Sequence, residues 1–205
     1  MIEAIVLFFV LFFPVGARFP PGEIINLFFW CFPACVLIFL LLGKAPVFRP
    51  KRDIIVLAIA LPALCLVGFL VSLAAAFSGF FPPVEVPSPS GISGWVEVIF
   101  FSLGIGCLEE GYFRYYLPQR IRQIREEQGL IPAYPDAVPF LVSALIFAFC
   151  HAYEGPWGFT NALLAALALS VIYAKSLSFP GIALAHGLYN IFVYLSVSLN
   201  GSNSG

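Results

Sequence analysis

Glu109 and Glu110, followed by Arg114, stand in a stretch that is otherwise apolar, and the chain's two histidines, His151 and His186, stand in two further apolar stretches. Holding a charged group at bilayer depth costs roughly 2.5 to 3.5 kcal/mol, so ionisable residues in such segments face a polar cavity or one another and mark a working site. Glu110 and Arg114 are four apart, share a helix face and can pair, which lowers the cost of both charges. Glu109 is turned about 100° from that face and keeps its carboxylate for other work, such as general-base chemistry. The competing reading is that both acids simply satisfy Arg114. Phe147 and His151 share a second helix face, and His186 and Asn190 a third. Two donors stacked one turn apart can hold a developing oxyanion, or can serve as hydrogen-bonding glue between helices. A single histidine on an apolar face is ordinarily a hydrogen-bonded core residue.

The elements that must position these side chains are membrane helices. The 205 residues are 61% hydrophobic and 10% charged, with a mean hydropathy of +0.99, which no ordinary soluble domain matches. A formal net charge of -1 without a basic tract gives no reason to expect nucleic acid. The five cysteines (Cys31, Cys35, Cys65, Cys107 and Cys150) all lie in apolar segments and read as buried small hydrophobes rather than a disulfide framework.

A span needs about 20 mostly apolar residues, and about seven candidates run Ile2–Val15, Ile24–Leu42, Ile54–Phe77, Trp95–Leu117, Ala137–His151, Phe159–Ala174 and Gly181–Leu199. The expected fold is therefore an all-α, polytopic transmembrane helical bundle of about seven helices. It forms one integral membrane domain, 1–205, whose polar core lies at about 95–199. Met1, Ile2 and Glu3 place an acid where a secretory signal needs a basic region, so the first segment reads as a retained helix. Phe81–Gly94 is rich in proline and serine and reads as a loop.

Lysine and arginine placement sets the expected orientation. Lys44, Arg49, Lys51 and Arg52 fill one loop, Arg120, Arg122 and Arg125 a loop after the fourth segment, and Lys175 another, against Arg18 on the opposite side. This predicts a cytoplasmic N-terminus. No internal repeat is evident. Ser102 with Gly106, Ala144 with Ala148 and Ala183 with Gly187 are small pairs spaced by four, which let helix backbones approach closely. At about 1.5 Å of rise per residue, Glu109 lies roughly 12 Å above Leu117 and His186 roughly 8 Å above Gly181, so their depths agree. Counted from Ala137, His151 comes out at roughly 21 Å, a mismatch that a fifth helix starting in the cytoplasmic loop, a strong tilt, or different segment boundaries would remove.

The three islands, EEGYFR, FAFCH and HGLYN, resemble in order the EExxxR, FxxxH and HxxxN motifs of one family of intramembrane endopeptidases. It includes the type II prenyl-protein (CAAX) proteases and the bacterial Abi or bacteriocin-processing proteins. The resemblance covers roughly Trp95–Leu199. It implies that Glu109 is the catalytic acid/base and His151 its partner in activating a water, and that His186 and Asn190 stabilise the oxyanion. Glu110 and Arg114 would be a supporting ion pair, and Phe147 would shape the cavity. A glutamic-type mechanism without acyl-enzyme follows, with no cofactor. The metal alternative has Glu109, His151 and His186 as zinc ligands with an open fourth position, although no HExxH motif is present.

The expected substrate is a membrane-anchored peptide or protein, the surroundings are the lipid bilayer, and the expected location is a prokaryotic inner membrane. Two other classes use the same residues. Intramembrane acids and histidines also line ion paths, so a transporter or proton relay competes, though transporters commonly carry internal pseudo-symmetry. A non-catalytic scaffold or immunity protein is the third reading.

Overall fold

The computed structural model describes residues 24–42, 45–79, 89, 91–130 and 137–201, and every regular element among them is a helix. In chain order these are α1 (Ile24–Leu42), α2 (Pro50–Ser78), α3 (Gly91–Glu110), a π-helical turn (Gly111–Tyr116), α4 (Leu117–Glu127), α5 (Val138–Cys150), a 3-10 turn (Ala152–Glu154), α6 (Gly155–Ser176) and α7 (Phe179–Gly201). The all-helical membrane bundle expected from composition is the observed architecture. Four stretches, Pro50–Ser78, Gly91–Glu127, Ala152–Ser176 and Phe179–Leu199, are long and apolar enough to cross a bilayer. The segment Ile2–Val15 lies outside the described residues. Leu40, Phe69, Phe77, Phe149 and Phe192 stand exposed, as helices solvated by lipid require, and the protein is an integral membrane protein.

Local sequence explains the helix ends. Pro50, Pro139, Pro156 and Pro180 each sit in a first helical turn, where a missing N–H leaves no hydrogen bond unmade. Gly79 stops α2 in the left-handed region at φ 68°, its N–H returning to the Ala76 carbonyl. Helix α3 begins at Gly91, so the last residues of the expected loop Phe81–Gly94 are helical.

Two expectations are corrected on the next segment. The fourth span does not end at Leu117, and Arg120, Arg122 and Arg125 do not lie in a loop: α3, the π turn and α4 form one rod of 37 residues, Gly91–Glu127. Nor is that rod α-helical throughout. Pro118 would press its ring against the carbonyl of Arg114 in a regular helix, and the widened turn falls immediately before it. The Phe113 carbonyl within the turn is satisfied from outside by the Ser143 hydroxyl of α5.

The helical continuation also bears on the depth of His151. Helix α5 packs against α4, and the bond between Ser143 and Phe113 sets its height, so that α5 begins near the level of Leu117. At 13 residues, α5 rises only about 20 Å, and its upper end stops within the bundle beside the acids.

Helices α3 and α7 run antiparallel at van der Waals distance. A Cβ added to Gly106 would stand 2.7 Å from the Gly187 nitrogen and 2.9 Å from the Ala183 oxygen, and one on Gly187 would stand 3.0 Å from the Ser102 oxygen. The small pairs Ser102/Gly106 and Ala183/Gly187 thus face each other, and Ala144 and Ala148 are buried on α5. Arg49, Lys51, Arg52, Arg120, Arg122, Arg125 and Lys175 all fall at the end of the bundle where α2 and α7 begin and α6 ends. Among the described residues the opposite end carries Glu97 and Glu154 and neither lysine nor arginine.

Candidate active site

The polar residues converge where the lower part of α3 meets α7 and the upper end of α5. Arg114 Nε lies 3.1 Å from Glu110 Oε2, with both side chains sealed from the surface at 1% and 0% exposure. The anchored pair expected from the spacing of four is present, and the reading in which both acids merely satisfy Arg114 does not match the contacts: Glu109 pairs with His186, its Oε2 lying 3.5 Å from Nε2.

The sequence alone did not show that Glu110 serves two partners. His186 Nδ1 donates to Glu110 Oε1 at 2.7 Å, so one carboxylate bridges the guanidinium and the imidazole. This bond fixes the ring of His186, with Nδ1 carrying a proton toward Glu110 and Nε2 turned to Glu109. One oxygen of Glu110 thus takes a charge-assisted hydrogen bond from the imidazole while the other stands beside the guanidinium. Glu109, by contrast, keeps 13% of its side chain exposed, enough to meet a small molecule.

Phe147 forms the floor between these groups. The Arg114 guanidinium carbon stands 4.5 Å from the centre of its ring, a cation–π contact that compensates a buried charge. The same ring lies 4.5 Å from His151 and 6.2 Å from His186, centre to centre, and Phe113 packs edge-on against it at 5.1 Å. One aromatic plane thus positions an arginine and both histidines.

His151 sits just past the last turn of α5, half-buried, its Nδ1 2.9 Å from the Phe147 carbonyl. A carbonyl can only accept, so Nδ1 is the donor and neutral His151 keeps the lone pair of Nε2 available. Asn190 lies one turn beyond His186 on α7, half-buried and without a hydrogen bond to any described residue. The structure therefore gathers Glu109, Glu110, Arg114, Phe147, His151 and His186 in one place and puts Asn190 on the helix that carries His186. Among the described residues, no three His, Cys, Asp or Glu side chains are grouped as a set able to hold a metal ion. The five cysteines are all free.

No curated protein and no solved structure matches the chain. Residues 91–192, which run from the start of α3 well into α7 and contain all three islands, match the family model described as Type II CAAX prenyl endopeptidase Rce1-like. Through that segment the chain belongs to the CAAX protease family of membrane endopeptidases.

Proposed function

We propose that the protein is an intramembrane endopeptidase of glutamic type, which cuts a membrane-anchored peptide or protein with an activated water and without a metal. The observation that carries this reading is the division of labour between adjacent acids: Glu110 is buried and doubly bound, while Glu109 is partly open and faces His186 at 3.5 Å.

In this mechanism Glu109 removes a proton from a water molecule that His151 orients through Nε2, and the hydroxide adds to the scissile carbonyl carbon. The carbonyl electrons move to oxygen, which Asn190 Nδ2 and the doubly protonated form of His186 stabilise by hydrogen bonds. The C–N bond then breaks, and Glu109 returns its proton to the departing amine. Arg114, Glu110 and Phe147 hold His186 in place throughout, and no side chain forms a covalent intermediate.

The basic end of the bundle faces the cytoplasm in this proposal, by the bias of lysine and arginine toward that side. A bacterial inner membrane is the proposed setting. A farnesylated peptide ending in a CAAX tetrapeptide, with a fluorophore and quencher across the expected bond, is the probe that the family suggests. Glu109→Gln should lower its cleavage by roughly a thousandfold while the variant inserts and folds as the parent does; turnover near the parent's would reject the assignment. Turnover should also survive dialysis against strong chelators. A loss that zinc restores would replace the metal-free mechanism with one using Glu109, His151 and His186 as ligands.

A further inference from the structure

We infer that Asp53 and Ser178 form a latch that positions His186 by fixing the height and rotation of α7. Neither residue belongs to the three islands, and Asp53 lies outside the segment that matches the family. Ser178 is fully buried at the head of α7 and Asp53 is 5% exposed. The Ser178 hydroxyl donates to Asp53 Oδ1 at 2.5 Å and accepts from the Gly181 N–H at 3.3 Å, so one side chain both caps α7 and ties it to α2. Asp53 is held in turn, its Oδ2 accepting from the Arg49 N–H at 2.7 Å and its Oδ1 lying 3.5 Å from Arg52 Nε.

The surrounding backbone makes the tie rigid. A Cβ on Gly181 would stand 2.8 Å from the Asp53 carbonyl oxygen and 2.9 Å from Val56 Cβ, so the head of α7 lies directly against α2 with no side chain between them. Leu177, which precedes the cap, occupies the left-handed region at φ 51°, a conformation that a leucine keeps only where its neighbours impose it. From Ser178 to His186 α7 is a continuous helix, about 12 Å long, so a displacement at its head reaches the imidazole undiminished. The Glu110 bond at 2.7 Å and the Glu109 approach at 3.5 Å are both sensitive to such a shift.

With only two histidines in the chain, ring-15N-histidine labelling gives one pair of signals for each, assigned with His151→Gln. The full chain, Ser178→Ala, Asp53→Ala and the double variant are to be compared in nanodiscs well below their unfolding midpoints. Each single change should move the His186 ring signals and leave those of His151 in place, and the double variant should move them no further. On the farnesylated probe, kcat should fall roughly tenfold to a hundredfold, the scale expected from a misplacement of about 1 Å, with KM within about twofold. Asp53→Asn keeps an acceptor for Ser178 and should give a smaller shift in the same direction, which decides the matter if the alanine variants do not fold.

Folded variants whose His186 signals stay at the parent positions would overturn the latch, as would additive effects in the double variant. The kinetic measurement rests on the proteolytic reading, but the ring signals do not. A parent protein that cleaves nothing would therefore remove that reading while the spectra still decide the latch.

Discussion

Two buried carboxylates, Asp53 at the basic end and Glu110 in the interior, solve the same problem in opposite ways. Asp53 is satisfied by a backbone N–H, a hydroxyl and an adjacent arginine, all local to the meeting point of α2 and α7. Glu110 is ion-paired with Arg114 of its own rod and accepts a hydrogen bond from His186 of another, with Phe147 of a third helix under the guanidinium. The first arrangement joins two helices, whereas the second fixes an imidazole that also faces an accessible acid. Burial of an acid is thus common to structural and chemical sites, and what separates them is whether the partners are themselves reactive.

Glu109→Gln tests that distinction most severely. Removing a general base should lower turnover by roughly a thousandfold, with thermal unfolding close to the parent's. Glu110→Ala should act on stability as well as rate, because it strands Arg114 in the interior; breaking a buried pair costs about 3–5 kcal/mol, measurable by unfolding in mild detergent. The double change Glu110→Leu with Arg114→Met should recover much of that stability and none of the activity, since no charge is left unpaired but the His186 ring loses its acceptor.

Gly187→Ala should cost about 1–3 kcal/mol through overpacking against Leu103 and the Ser102 carbonyl. It should also reduce turnover, because α3 and α7 must part. The smallest effect expected is that of Phe147→Leu, about 1 kcal/mol for the lost cation–π contact. If Phe147→Leu instead proves as damaging as Glu110→Ala, the aromatic ring is more than a floor for the charged groups.

Spacing within a helix was legible in the sequence because it needs only the geometry of one element. The separation of four between Glu110 and Arg114 foretold their pair, and the small residues at 102, 106, 183 and 187 foretold where two backbones touch. Contacts between helices were not legible in the same way. Nothing in the motif HGLYN says that His186 donates to Glu110 rather than standing beside Asn190 alone, and the bond from Ser178 to Asp53 joins residues 125 positions apart. The continuation of the rod into α4 was hidden by its polarity: LPQRIRQIREE reads as a loop when apolar content is the criterion, although arginine, glutamine and glutamate are good helix formers. The height of α5, and with it that of His151, is not legible from its own residues for the same reason, since α5 packs against a helix that reads as a loop.

The π turn at Gly111–Tyr116 inserts one extra residue into the rod, so the stretch after it is out of phase with the stretch before it by about 100°. The half that carries the acids and the half that carries Arg120, Arg122 and Arg125 are therefore oriented independently, although they share one backbone. Deleting Tyr115 alone would leave every side chain of the site present and swing the basic half to a different azimuth, so the length of this short segment is as much a part of the design as any functional group.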